Sequence, residues 1–144
     1  MERVERTFQV NILAMFHIAK AALPQLKPGS SMINTAAIQA YQPKASILDY
    51  ATTKGAIVAF TKGLALEAIE NGIRVNCVAP GPVWTPLIAQ SFEGDDLKNF
   101  GKQSPMGRPA QPAELAPAYV FLASAESSYV NGEVLGVTGG RPLG

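Results

Sequence analysis

The chain has 144 residues, 47% hydrophobic and 16% charged, enough apolar material for a core and inconsistent with a disordered segment. A net charge of +1 with no Lys/Arg cluster argues against nucleic acid as a partner. One cysteine, Cys77, and one histidine, His17, exclude a disulfide framework and a Cys- or His-rich metal centre.

Met1 to Arg6 carries two acids ahead of any apolar run, unlike a secretory signal or transit peptide. The uncharged apolar stretch Thr7 to Ala19 is too short to span a membrane, so a soluble cytoplasmic protein is expected. From Val4 to Leu23 the apolar residues Val4, Phe8, Ile12, Met15, Phe16, Ala19 and Leu23 recur at helical spacing and predict one long helix. Pro24 ends it, and Lys27-Pro28-Gly29-Ser30 reads as a turn. Ser31 to Thr35 is a short buried strand, and Gln39 to Asp49 an irregular loop containing Pro43. Asp49 is the expected cap of a second helix, Tyr50 to Asn71, closed by Asn71-Gly72.

Ile73 to Val78 is β-rich and bounded by Gly72 and Pro80, which predicts a parallel strand. Pro80 to Pro109 gathers Gly and Pro and predicts a mobile loop with short helical pieces. A further helix is expected from about Pro112 to Ser124, with Pro117 forcing a kink or a late start. Glu133 to Val137 is the last strand, before a glycine-rich tail. Alternation of helix and strand predicts an α/β fold with a parallel sheet and right-handed crossovers. With about three strands such a sheet leaves an apolar edge open, so the chain reads as part of a larger fold.

The segment with the most chemical content is Tyr50-Ala51-Thr52-Thr53-Lys54. On a helix, four-residue spacing puts the Tyr50 hydroxyl and the Lys54 ammonium on one face. A nearby cation favours the phenolate and so lowers the tyrosine pKa, which suits the pair to proton transfer with an alcohol oxygen. A Tyr and a Lys at this spacing are by themselves most often an ordinary surface pair. Their setting sharpens the reading. Asn34-Thr35-Ala36-Ala37 ends the strand before them, and Ile73 to Thr85, with Pro80-Gly81-Pro82, ends the strand after.

Together with Pro105-Met106-Gly107-Arg108, Leu122-Ala123-Ser124 and Gly136-Val137-Thr138-Gly139-Gly140, these segments resemble the short-chain dehydrogenase/reductase (SDR) family. Ile38 to Pro43 and Ala79 to Thr85 are most similar to its bacterial aldehyde-reductase and general-stress-protein branch. The resemblance covers essentially the whole chain. It implies the C-terminal half of a Rossmann-like, doubly wound parallel sheet, a single partial domain over residues 1–144 with the N-terminal dinucleotide-binding half absent. It also implies hydride transfer between NAD or NADP and a small carbonyl or alcohol substrate, and homo-oligomers built through the two long helices and the last strand.

Position by position, the resemblance gives Tyr50 the role of general acid/base. Lys54 would bind the nicotinamide ribose and depress the tyrosine pKa, and Asn11 would hold a water of the proton relay. Pro80, Gly81 and Val83 match the turn that meets the nicotinamide carboxamide, and Thr85 a hydroxyl that contacts the same cofactor. Trp84 is either a wall of that pocket or simple packing, and Cys77 a small buried hydrophobe.

Two departures from the family pattern predict weak or absent activity for this chain alone. Ala37 stands thirteen residues before Tyr50, where the family has a serine that donates to the substrate oxygen. Thr35, two residues away on a strand, is the conceivable substitute because it should share that face. No strand–glycine-rich turn–helix for a pyrophosphate is present either, since Gly101 to Gly107 and Gly139-Gly140 lie outside such a context. The alternative reading is a catalytically impaired pseudoenzyme or an assembly module.

Overall fold

The computed structural model describes all 144 residues. Helix α1 (Glu2–Phe8) runs through a π-helical segment, Gln9–Leu13, directly into α2 (Ala14–Ala22). The expected long helix is therefore present but wound wide at its centre. A 3₁₀ turn, Leu23–Gln25, carries Pro24 and ends it.

Strand β1 (Ser31–Thr35) follows, as expected from its apolar run. Helix α3 begins earlier than expected, at Leu48, and runs to Ala68. Ile47 occupies the cap position, and Asp49 lies inside the first turn, where its carboxylate faces the N-terminal helix. It accepts hydrogen bonds from Arg3 and Thr7, both at 3.2 Å, which ties the start of α3 to α1. Burial alone would raise the Asp49 pKa, but these partners and the nearby backbone amides hold it below the ordinary value. A 3₁₀ turn, Ile69–Asn71, ends at Gly72, which takes the left-handed conformation (φ 70°) a glycine adopts without strain.

Strand β2 (Arg74–Pro80) is longer at its C-terminal end than expected, because Ala79 and Pro80 still pair with the last strand. The Pro80–Pro109 region contains two short helices, α4 (Pro86–Ser91) and α5 (Gly94–Asn99). The predicted 112–124 helix starts late, as one of the two outcomes required. A 3₁₀ turn, Pro112–Glu114, precedes α6 (Ala116–Ala123), and Pro117 sits in its first turn, where its missing N–H costs nothing. Strand β3 (Val134–Val137) completes the sheet.

The sheet is wholly parallel, in the order β1-β2-β3, so β2 is central and almost entirely buried. The buried side of α3 is made of Ala51, Thr53, Ile57, Thr61, Ala65 and Ala68, small residues that let the helix lie close to β2. Ala36, Ile57, Cys77 and Ala79 form one core cluster, with Ile12, Met15 and Tyr41 packed against it.

Asparagines stitch the layers together. Asn34 donates to Thr61 Oγ1 on α3 (2.9 Å). Asn131 donates to the Ala65 carbonyl (3.1 Å) and accepts from the Val75 amide (2.9 Å). The fully buried Asn76 donates to the Val130 carbonyl (2.8 Å) and accepts from the Glu133 amide (3.0 Å), setting where the chain enters β3. No helix is long and apolar enough to cross a membrane.

Candidate active site

Strand β1 alternates the direction of its side chains, and this decides the site. Ser31 and Thr35 turn their hydroxyls toward α6, where Ser31 donates to the Leu122 carbonyl (2.8 Å) and Thr35 pairs with the Tyr119 hydroxyl (2.8 Å). Asn34 faces the opposite side, toward α3. The Thr35 hydroxyl therefore lies across the sheet from the helix that carries Tyr50. This corrects the expectation that Thr35 could stand in for the missing serine. Beyond Thr35 the Ala36 amide still bonds to the Val78 carbonyl (2.9 Å), then Ala37 turns extended and buried into a 3₁₀ turn, Ile38–Ala40. Ala37 offers a methyl group and no donor.

Tyr50 and Lys54 occupy the first two turns of α3, with the Lys54 Nζ 5.4 Å from the centre of the Tyr50 ring. The ammonium donates to the Thr35 carbonyl at 3.0 Å. Burial pushes the Tyr50 phenol above its ordinary value, and burial likewise pushes Lys54 below its own, the Cys77 thiol opposing in part. Desolvation therefore governs the pair, and the expected depression of the tyrosine by its lysine is not the balance reached in this chain.

Asn11 sits at the middle of the π-helical segment, a local widening often associated with functional residues. Its amide donates to Thr53 Oγ1 (3.0 Å), and Thr53 in turn donates to the Tyr50 carbonyl (2.7 Å). Asn11 is thereby joined to the Tyr50–Lys54 turn through a residue the sequence reading passed over. Thr53 lies within the motif itself, and its place on the buried side of the helix was the available signal. Asn11, Asn34, Thr35 and Lys54 line one cavity of about 390 Å³ against Met32 and Phe60; Tyr50 does not line it.

Pro80, Gly81, Val83 and Thr85 form a separate element at the C-terminal end of β2. The Gly81 amide donates to the Val137 carbonyl (2.9 Å), and a side chain there would lie 2.7 Å from the Thr138 carbonyl oxygen, so only glycine fits. Val83 bridges to Ala110, the Trp84 amide donates to the Ala110 carbonyl (2.8 Å), and Ala110 donates back to Pro82 (2.9 Å). Thr85 is the cap residue of α4, yet its side chain makes no capping bond. Trp84 packs 6.3 Å from Phe100, which also meets Phe92 at 5.6 Å, while 36% of Trp84 stays exposed beside the turn.

Beside this turn a second cavity, about 360 Å³, is bounded by Pro82, Gly139 and Gly140, with Arg108 and Glu114 at its rim. Those two form a bidentate pair at 2.7 Å that holds the Glu114 carboxyl at about 2. Cys77 is fully buried in mid-strand, and burial raises its thiol pKa, which fits a packing residue. A further concavity, about 780 Å³, lies near Leu23, Pro28 and Glu70 and holds none of the candidate residues.

The residues present suit one end of a nicotinamide cofactor. Lys54 would offer a cation to ribose hydroxyls, and the Gly81 turn would offer close-approaching backbone. The pyrophosphate end finds no counterpart. The left-handed glycines 101, 107, 139 and 140 lie in turns and in the tail, with no strand-to-helix junction among them.

A family profile described as enoyl-(acyl carrier protein) reductase matches residues 1–141. A glucose and ribitol dehydrogenase of Daucus carota is 58% identical over 139 residues, covering 96% of this chain and 48% of the relative. The chloroplastic NADPH-dependent aldehyde reductase 1 of Arabidopsis thaliana is 57% identical, with the same two coverages. General stress protein 39 of Bacillus subtilis is 50% identical, covering 97% of this chain and 49% of the relative.

A crystal structure of an SDR glucose/ribitol dehydrogenase from Brucella melitensis superimposes with a TM-score of 0.87 at 35% identity, over 95% of this chain and 55% of that one. The chain spans about half the length of the curated relatives it matches. On its parallel sheet, its Tyr50–Lys54 helix and these matches, the chain belongs to the short-chain dehydrogenase/reductase family and carries the C-terminal half of that Rossmann-like fold.

Proposed function

We propose that this chain carries the proton-transfer part of an NAD- or NADP-dependent oxidoreductase acting between a small aldehyde or ketone and its alcohol. The observation that carries the reading is Tyr50 and Lys54 one helical turn apart, the ammonium fixed on the Thr35 carbonyl beside the exit of β1. A nicotinamide cofactor supplies the hydride in such chemistry.

Tyr50, whose pKa is raised by burial, is a neutral phenol at pH 7 and gives its proton to an alkoxide oxygen. Lys54 would bind ribose hydroxyls with the N–H groups it does not give to the Thr35 carbonyl, and near a phenolate it would stabilise the negative charge. Asn11, through Thr53, holds the Tyr50 turn in place. The backbone of Pro80, Gly81 and Val83, with the Thr85 hydroxyl, would hold the nicotinamide side. One feature weakens turnover in this reading: Ala37 donates no hydrogen bond to the substrate oxygen.

Titration of the chain with NADPH and NADH, followed by the fluorescence of the single Trp84, tests this reading. Saturable quenching at micromolar cofactor supports it, and absence of quenching up to millimolar cofactor refutes cofactor binding by this chain. A second reading, an assembly module, is favoured by the exposed apolar residues Val10, Leu13, Phe16 and Ile18 along the first long helix, with Phe16 stacked edge-on against Phe60 of α3. A second copy, giving a homo-oligomer through these helices, would cover them. A strictly monomeric chain by ultracentrifugation at micromolar concentration would refute that.

A further inference from the structure

We propose that the Asn71–Gly72 step, where α3 gives way to β2, is a site of spontaneous deamidation, and that the fold shields the second such step, Asn131–Gly132, from the same reaction. The sequence contains these two Asn–Gly steps, and in both the glycine leaves its own backbone nitrogen unobstructed by a side chain. By sequence the two are equivalent. In the reaction the Gly72 nitrogen attacks the side-chain carbonyl carbon of Asn71. A C–N bond forms, and the side-chain nitrogen leaves as ammonia, taking the hydrogen of the Gly72 amide. Water then opens the cyclic imide at either carbonyl, giving an aspartyl or an isoaspartyl residue. No other reactant is needed.

The fold separates the two. Asn131 Nδ2 donates to the Ala65 carbonyl (3.1 Å), its Oδ1 accepts from the Val75 amide (2.9 Å), and the Gly132 amide donates to the Val75 carbonyl (2.9 Å). Electrophile and nucleophile are thus both tied to buried residues of α3 and β2, and three hydrogen bonds must open before they can meet. Asn71 and Gly72 are exposed, and the Asn71 side-chain amide takes no part in the hydrogen bonding of the chain. One bond restrains this step, from the Gly72 amide to the Ile69 carbonyl (2.9 Å), and it closes the last turn of a helix, where fraying is cheapest. The product matters to the joint. A new carboxylate at position 71 stands beside Glu70 and four residues after Glu67, at the negative end of the α3 dipole. The isoaspartyl form also lengthens the backbone just ahead of Gly72, whose carbonyl holds the Gly29 amide at 2.8 Å before β1.

Ageing of the folded full-length chain in mildly alkaline buffer, with amide-to-acid conversion read at each asparagine by peptide mass spectrometry, tests this. Asn71 is expected to convert about five- to a hundredfold faster than Asn131, the ratio that two fewer ordinary hydrogen bonds to open would give. In concentrated urea, where neither bond network survives, the two rates are expected to become alike. Equal rates in the folded chain overturn the proposal, and so does a folded chain in which Asn71 stays intact while the urea sample converts. Asn71→Gln should abolish the acidic form that ion-exchange chromatography resolves during ageing; its undiminished appearance overturns the assignment to this step. Asn71→Asp, which carries the product charge from the start, is expected to lower Tm by about 1–5 °C at low salt. An unchanged Tm overturns the claim that modification weakens the α3–β2 joint.

Discussion

Gly81→Ala is the most demanding test of how the turn after β2 is built. Gly81 is not in a left-handed conformation, so the substitution meets no backbone strain and its effect is purely steric. The new methyl would lie 2.7 Å from the Thr138 carbonyl oxygen and 3.0 Å from both its carbonyl carbon and its Cα. All three atoms are backbone, and the strand behind them is fixed by the Gly81–Val137 hydrogen bond at 2.9 Å. No side-chain rotation can relieve the overlap.

Separation of β2 from β3 at this point strains the end of the sheet, and overpacking of this kind costs about 1–3 kcal/mol. For a chain of this size that is a fall of roughly 3–10 °C in Tm. Thermal and urea unfolding followed by far-ultraviolet circular dichroism measure the global loss, and Trp84 fluorescence, three residues along, reports the turn. A Gly81→Ala chain within about 0.5 kcal/mol of the parent, a margin typical of substitutions at unconstrained sites, would refute the steric argument.

If the proposed function holds, Ala37→Ser supplies a donor where the substrate oxygen would lie. It is expected to raise the rate of carbonyl reduction about 10²–10³-fold, the worth of one such donor in acyl-transfer enzymes, as measured by NADPH consumption. Asn76→Ala, at a fully buried position, removes the side-chain partner of the Glu133 amide and leaves the Val130 carbonyl only a 3.5 Å contact from Arg74. It should destabilise by about 2–4 kcal/mol in urea unfolding, from two lost hydrogen bonds and one orphaned donor. The Glu114 carboxyl is held at about 2 against an ordinary 4.5, chiefly by Arg108 and the Gln111 amide. A depressed carboxyl contributes stability that is present above its unfolded value and is lost as pH falls from about 4.5 through about 2. Unfolding curves across that window should show the loss in the parent and a flatter limb in Glu114→Gln.

The local elements were legible in the sequence because local forces make them. Helical spacing from Val4, the β-rich runs at Ser31 and Ile73, Gly72 as a stop and Pro117 as a delayed start each depend on backbone preferences within a few residues. The Tyr50–Lys54 pair was legible for the same reason, since one helical turn fixes their separation. Asp49 was misplaced by two residues because its partners, Arg3 and Thr7, lie on another helix and are invisible to a capping argument.

What only the tertiary structure decided depends on residues distant in sequence and on burial. The alternation of β1 was predictable, but its phase was set by α6 and α3 packing on opposite faces, and this sent the Thr35 hydroxyl to Tyr119. The ionisation of the site was misjudged likewise. A helix diagram shows a cation beside a phenol, but only the folded chain shows how little water reaches either, and desolvation outweighs a charge 5.4 Å from the ring centre. Sequence by itself determined which groups stand on one helix turn; the packing of the other elements determined which way they face and how they titrate.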